Sequence, residues 1–169
     1  MPLRRPDPDT DDDAIVDAVL TASRALVAVA ARSLGDIAEE VTLTQYRTLV
    51  VLASRGPQSL AALAEAVAVT PPTATRMCDR LVKKGLVVRR NASGDRRLVR
   101  LSLATRGRDL VDEVTQRRRT EIVELVRAIP QDQRAALVDS LQRLADSAGE
   151  VPEQDWSAGW GFDMDGTRP

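Results

Sequence analysis

Residues 70–103, TPPTATRMCDRLVKKGLVVRRNASGDRRLVRLSL, constrain the fold more than any other stretch. A Thr-Pro pair opens a helix, because Thr caps it and Pro tolerates the first helical position. Gly85 closes it, with Lys83 and Lys84 in the last turn. Two short β-prone runs follow, at 86–90 and 98–103. The connection over 91–97 is polar and carries Gly94 at its tip. A helix delivered straight into a hairpin leaves few architectures open. The stretch holds nine Lys and Arg against Asp79 and Asp95, so it carries +7 in a chain of net charge −1. Charge of this density on one element points to a polyanion partner, while a solvated charged face is the plain alternative.

The rest of the chain reads as helix. Residues 14–34 place apolar side chains on two overlapping rows, Ile15, Val19, Ala22, Leu26, Val29 and Val16, Leu20, Ser23, Val27, Ala30. A stripe that wide exceeds what one small core covers, so the spacing predicts burial against the chain's own domain and against a partner chain. Thr44 is expected to cap a helix over 45–54. Gln58 and Ser59 read as a link or a stub of strand. A helix over 60–67 buries Leu60, Leu63, Ala64 and Val67. After the hairpin come helices over about 105–129 and 132–147, separated by Pro130. Two short helices, a tight link and a hairpin make a winged helix-turn-helix. The expected fold class is therefore mainly α, a winged helix-turn-helix with a two-stranded wing, flanked by N- and C-terminal dimerisation helices. Residues 43–104 form the winged region and 14–40 with 105–148 the helical dimerisation region. Residues 1–13 read as a flexible acidic arm and 149–169 as a C-terminal tail.

Composition excludes several function classes. Aromatics make up only 2% of the 169 residues, so the core is aliphatic. The chain has no His and one Cys. It therefore lacks the commonest general base and cannot build a Cys/His zinc site, and no metal or cofactor is expected. No glycine-rich phosphate loop is present, and no residue constellation argues for an enzyme. The N-terminus lacks the apolar core of a secretory signal, and the unbroken apolar runs are short. A cytoplasmic protein with no membrane role is the expectation.

On a helical wheel of 70–84, Ala74, Met77, Cys78, Leu81 and Val82 share one face. Pro72, Thr73, Arg76, Asp79, Arg80 and Lys83 lie opposite, with Thr75 at the flank. Short hydroxyls at the N-terminal end, then arginine one turn later, suit a helix read into the major groove of double-stranded DNA. Arg76 has the fork that matches guanine, Thr73 or Thr75 can bond a base or phosphate, and Pro72 can pack on a thymine methyl. Thr70, Arg80, Lys83, Arg89 and Arg90 are candidates for the DNA backbone. Asp79 either fixes Arg76 or Lys83, or simply pairs on the surface. At the wing tip, Arg97 is the candidate for the minor groove, with Asp95 to orient it and Arg96 as auxiliary.

The segments VTLTQYRTLVVLA, SLAALAEAVAVTPPTATRMCDRLVKKGLV and GDRRLVRLSLATRG resemble the MarR family of bacterial transcription regulators. Asp95 and Arg97 match its Asp-x-Arg wing signature, and the likeness runs over about 15–148. The resemblance implies a homodimer with intertwined terminal helices, two winged domains on a pseudo-palindromic operator at the nucleoid, and most often repression. It also implies release by a small aromatic or anionic ligand bound between the dimerisation and DNA-binding regions. Tyr46 and Arg47 are on the helix that would wall that pocket, although the helical register of Tyr46 favours a core position. The thiol-switch branch uses a reactive Cys near the N-terminus, whereas Cys78 falls on the buried face of the fourth helix and reads as packing. Metal-sensing members need Cys and His ligands that this chain lacks. The alternative reading is a winged-helix interaction module or ligand sensor without operator binding. Trp156, Trp160 and Phe162 depart from the family pattern and either pack back on the dimer, meet a partner or are unstructured.

Overall fold

The structure, a computed structural model, describes residues 8–35, 37, 40–92 and 95–156, with side chains for all of these except 8–11 and 91–98. Among the described residues six α-helices and one hairpin succeed each other as α1 (Pro8–Leu34), α2 (Leu43–Arg55), α3 (Leu60–Ala66), α4 (Pro71–Lys83), β1 (Val87–Ala92), β2 (Asp95–Leu103), α5 (Thr105–Arg127) and α6 (Arg134–Ser147). A 3₁₀ turn at Gln131–Gln133 precedes α6, and another at Glu153–Asp155 follows it. The mainly helical fold with a two-stranded antiparallel wing is therefore the one expected.

Local signals explain most boundaries. The cap of α2 is Thr42, not Thr44. Thr42 Oγ1 accepts from the Gln45 amide at 3.3 Å, and the Gln45 side chain accepts from the Thr42 amide at 3.1 Å. That reciprocal capping box satisfies two of the helix's orphan donors, which Thr44 cannot do from inside the first turn. Ser59 caps α3 through the Ala62 amide at 3.2 Å. Between α3 and α4 the chain turns at Ala68, whose φ of 53° lies in the left-handed region. Val69 N–H donates to Ala64 O at 3.0 Å across that turn. Pro71 opens α4 as expected, but the Thr70 hydroxyl meets Thr73 Oγ1 at 3.0 Å and caps no amide. The stub at Gln58 is real: it exchanges backbone hydrogen bonds of 3.0 and 2.8 Å with Leu101, adding a one-residue bridge to the wing's base.

The core lies inside the winged region. Leu49, Leu63, Leu81, Leu86, Val87, Leu101, Val111 and Val114 are all buried, and together they join α2, α3, α4, the hairpin and the first half of α5. Alternation along β2 buries Leu101 and Leu103 and leaves Arg100 exposed; Val99 is exposed because the hairpin has by then left the body.

The terminal helices differ. Helix α1 starts at Pro8, so the acidic run assigned to a flexible arm belongs partly to its first turns. The expectation that α1 buries one row against its own domain holds only at its C-terminal end, where Val29, Ser33 and Leu34 are buried and Arg32 pairs with Glu121 of α5 at 2.8 Å. Ile15, Val16, Val19, Leu20, Leu26 and Val27 are 40–60% exposed. By length and composition alone Asp12–Leu34 would pass as a membrane span, so counting unbroken apolar runs understated it. Helix α6 also exposes Val138, Leu141 and Leu144.

The tail's first residues are packed. Gly149, at φ 68°, ends α6 and turns the chain back, and Trp156 lies half-buried against the core. Trp160 and Phe162 fall outside the described residues.

Candidate nucleic-acid interface

Helix α4 presents two faces of opposite chemistry. Ala74, Met77, Cys78 and Leu81 are buried, and Val82 is half-buried against the same core. Opposite them Pro72, Thr73, Arg76, Asp79, Arg80 and Lys83 are exposed, with Thr75 intermediate. Met77 Sδ accepts from the Thr48 hydroxyl at 3.4 Å, which ties α4 to the supporting helix α2. Burial pushes the Cys78 thiol up from its ordinary value, with Arg89 opposing and Asp79 adding to the shift. A desolvated thiol of this kind is a packing group, not a nucleophile.

The hydroxyls at the helix start are already oriented. Thr75 Oγ1 donates back to Pro71 O at 3.0 Å, so its proton is spent and its lone pairs face outward as acceptors. Thr70 and Thr73 share one hydrogen bond, which leaves one further hydroxyl proton free to donate.

Not every cation counted in the sequence is available. Asp79 pairs with Arg89 of β1, not with Arg76 or Lys83, and so locks α4 to the wing. Arg89, a backbone-contact candidate, is thereby partly neutralised. Arg100 Nη1 donates to Pro57 O at 3.2 Å. The Lys84 ammonium turns back to the Glu40 carbonyl, and Arg106 donates to Lys84 O at 2.7 Å while pairing with the Glu40 carboxylate. Arg76, Arg80, Lys83 and Arg90 are exposed and make no ion pair among the described residues. The hairpin register sets Arg90 directly opposite Arg100. Like charges facing each other across a ladder repel, and an anion between them relieves the repulsion. The backbone of β2 places Asp95, Arg96 and Arg97 at the start of that strand, past a register shift between Asn91 and Ala92. Their side chains, and Gly94, lie outside the described residues.

The candidate pocket residues part ways. Tyr46 is buried, with Arg118 Cζ 5.5 Å from its ring centroid. Its hydroxyl lies near Thr115 but completes no hydrogen bond among the described residues, and neither does Arg118 Nε. Burial raises the Tyr46 phenol above its usual value, more than Thr115 and Arg118 lower it. Arg47 is instead committed to a two-pronged pair with Glu150. A cleft of about 480 Å³ opens near Tyr46, lined by Asp112, Thr115, Gln116, Arg119, Glu153, Gln154 and Trp156; neither Tyr46 nor Arg47 lines it. Sequence reasoning missed its α5 wall, because these residues form the polar side of an amphipathic helix and carry no motif. It also missed the tail's part in it.

The model of the MarR family matches residues 41–99, from the start of α2 into the wing. The chain is similar to RV1404 from Mycobacterium tuberculosis, at 42% identity over 83% of this chain and 96% of that one, with a TM-score of 0.76. It shares its fold with a MarR family protein from Bacillus stearothermophilus, at 18% identity over 86% of this chain and 100% of that one, TM-score 0.74. NadR, solved in complex with 4-hydroxyphenylacetate, is 27% identical over 86% of this chain and 98% of that one, with a TM-score of 0.61.

Proposed function

The chain belongs to the MarR family, and on that footing we propose that it is a homodimeric, sequence-specific transcriptional repressor acting on DNA in the cytoplasm, at the nucleoid. The observation that carries the reading is the exposed face of α4. Exposed hydroxyls stand at its N-terminal end, and Arg76, with no ion pair among the described residues, follows Thr73 by one turn, on a helix whose other face is held by the core. In this reading Pro72, Thr73, Thr75 and Arg76 meet base edges in the major groove. Thr70, Arg80, Lys83 and Arg90 meet phosphates, with Arg89 reduced to a lesser share by Asp79. The wing carries Arg97 to the minor groove.

Dimerisation is supported by the apolar faces of α1 and α6, which one chain leaves in water. Contiguous exposed apolar surface of this extent marks an association site. Two winged domains on a two-fold dimer read a pseudo-palindrome with half-sites about 10 bp apart. A small aromatic or anionic effector would release the operator, and the cleft beside Tyr46 is the site for it. Arg119 lines that cleft, where it pairs with Glu153 at 3.5 Å, whereas Arg47 is held by Glu150 and does not line it.

Selection of bound DNA from a random pool tests the proposal. A two-fold symmetric motif is expected, and recovery of no motif, or of a single half-site only, would count against it. Arg76→Ala should then relax preference at one base pair per half-site, worth about 1–3 kcal/mol of discrimination. Uniform weakening on all sequences would instead make Arg76 a phosphate contact.

A further inference from the structure

We propose that residues 149–156 form a strap that locks the winged domain to α5 and thereby sets operator affinity, a proposal that rests on the operator-binding reading above. The segment leaves α6 at Gly149 and crosses two helices. On α2, Arg55 Nη2 donates to Gly149 O at 3.0 Å, and Arg47 holds the Glu150 carboxylate with both arms of its guanidinium, one at 3.1 Å. Those two arginines lie eight residues apart, about 12 Å along the helix, so the strap grips more than two turns of it. On α5, Arg119 pairs with Glu153 at 3.5 Å. The strap is also stiffened from within. Trp156 Nε1 donates to Val151 O at 2.9 Å, and its indole packs on the core cluster.

Helix α2 supports the recognition helix, and α5 leads from the wing toward the dimerisation region. The strap therefore fastens the DNA-reading unit to the element that sets where it stands relative to the dimer axis. Operator binding needs both winged domains at one spacing. A fastened joint loses less freedom on binding than a loose one, so a docked strap favours the complex. The same residues form one wall of the cleft beside Tyr46, with Glu153, Gln154 and Trp156 facing Asp112, Thr115, Gln116 and Arg119. Anything that enters the cleft and lifts this wall loosens the joint.

The test uses the full chain carrying Trp160→Phe, so that Trp156 is the sole tryptophan. Two variants are compared with it for binding to the selected operator at fixed salt. Glu150→Gln with Glu153→Gln removes both ion pairs and retains the reporter. Trp156→Ala removes the indole without changing charge. Release in the double variant is read as a red-shifted, more readily quenched Trp156 emission. Both variants are expected to bind the operator about fivefold more weakly, at the low end of a typical coupling, with unchanged base preference. The double variant is two charges more positive, which by itself strengthens DNA binding, so a fall in both is not a charge effect. Released emission with equal or tighter operator binding would overturn the proposal, as would an emission already solvent-like in the parent. Failure of the parent to select any DNA would instead strike at the operator-binding reading, and the emission of the double variant would still decide whether the strap is docked by these ion pairs.

Discussion

Gly107→Ala should destabilise the joint between wing and α5, although it replaces a poor helix former with the best one. Gly107 sits in the first turn of α5, where the helix runs against the base of the wing and Ala104 N–H donates to Leu86 O at 3.0 Å. A Cβ at Gly107 would lie 2.1 Å from that same carbonyl oxygen, 3.0 Å from its carbon and 3.2 Å from Leu103 Cδ2. Even a close C···O contact needs about 3.3 Å, so helix and strand must separate by about 1.2 Å. No rotamer change relieves it, because the obstacle is backbone. Leu86 is fully buried, so the shift disturbs the core at its centre. Overpacking of this kind costs up to about 3 kcal/mol. The gain in helix propensity returns about 1 kcal/mol. The net of about 2 kcal/mol corresponds to a fall in Tm of about 4–8 °C for a chain of this size. Thermal and urea unfolding at one fixed protein concentration would measure it, since the apparent stability of the proposed dimer depends on concentration. Gly85→Ala is the control. A Cβ there meets nothing within 4 Å, and only the left-handed φ of 69° opposes it, at a cost of about 1–2 kcal/mol. An unchanged or raised Tm for Gly107→Ala would show that the wing base yields freely and would refute the reasoning.

Two further expectations concern ionisable groups. Cys78, buried and with its thiol pushed up by desolvation, should react with an aromatic disulfide reagent only on the timescale of unfolding; stoichiometric reaction with the native protein in seconds would make it a switch candidate after all. Asp112, exposed at the lip of the cleft, is raised above its ordinary 3.8, first by partial desolvation and then by the neighbouring Asp109 carboxylate. The folded state thus binds this proton more tightly than the unfolded one, so the group favours folding below 3.8 and loses that contribution as pH rises through its folded value. Asp112→Asn should therefore be at least as stable as the parent at neutral pH, with its advantage fading on acidification below that range. A lower urea midpoint for the variant at pH near 7 would contradict this.

What the sequence made legible was whatever is encoded within a turn or two of itself. The bounds of α4 follow from Thr70, Pro71 and Gly85, and its buried face from the spacing of Ala74, Met77, Cys78 and Leu81. The cap of α2 was misplaced by two residues, although the signal was present: Gln45 stands three residues after Thr42, and only that spacing completes a capping box. The turn between α3 and α4 carried no cue, because Ala68 occupies a left-handed position where glycine would have announced it. Contacts between elements were out of reach in a different sense. Nothing local distinguishes an Asp79 that pairs with Arg89 from one that pairs with Arg76, since the choice depends on how the wing folds back on α4. Arg47 and Glu150 are 103 residues apart. Their pairing, and with it the strap, becomes visible only once α6 has turned the tail around.

The same distinction refines the charge excess on residues 70–103. As a sum it could not separate a DNA-reading surface from a solvated face. The fold sorts it by asking which cations already have partners. Arg89, Lys84 and Arg100 are tied to Asp79, the Glu40 carbonyl and the Pro57 carbonyl, and hold the wing and the end of α4 in place. Arg76, Arg80 and Lys83 remain along one exposed face of α4, and Arg90 stands opposite Arg100 on the wing. A surface built only for solubility gains nothing from spending some cations to brace the elements that carry the others, or from setting two arginines face to face across a ladder. Both arrangements make sense when a polyanion completes the electrostatics. In the proposed reading the braced cations fix the geometry, and those with no ion pair among the described residues are the ones offered to phosphates or base edges.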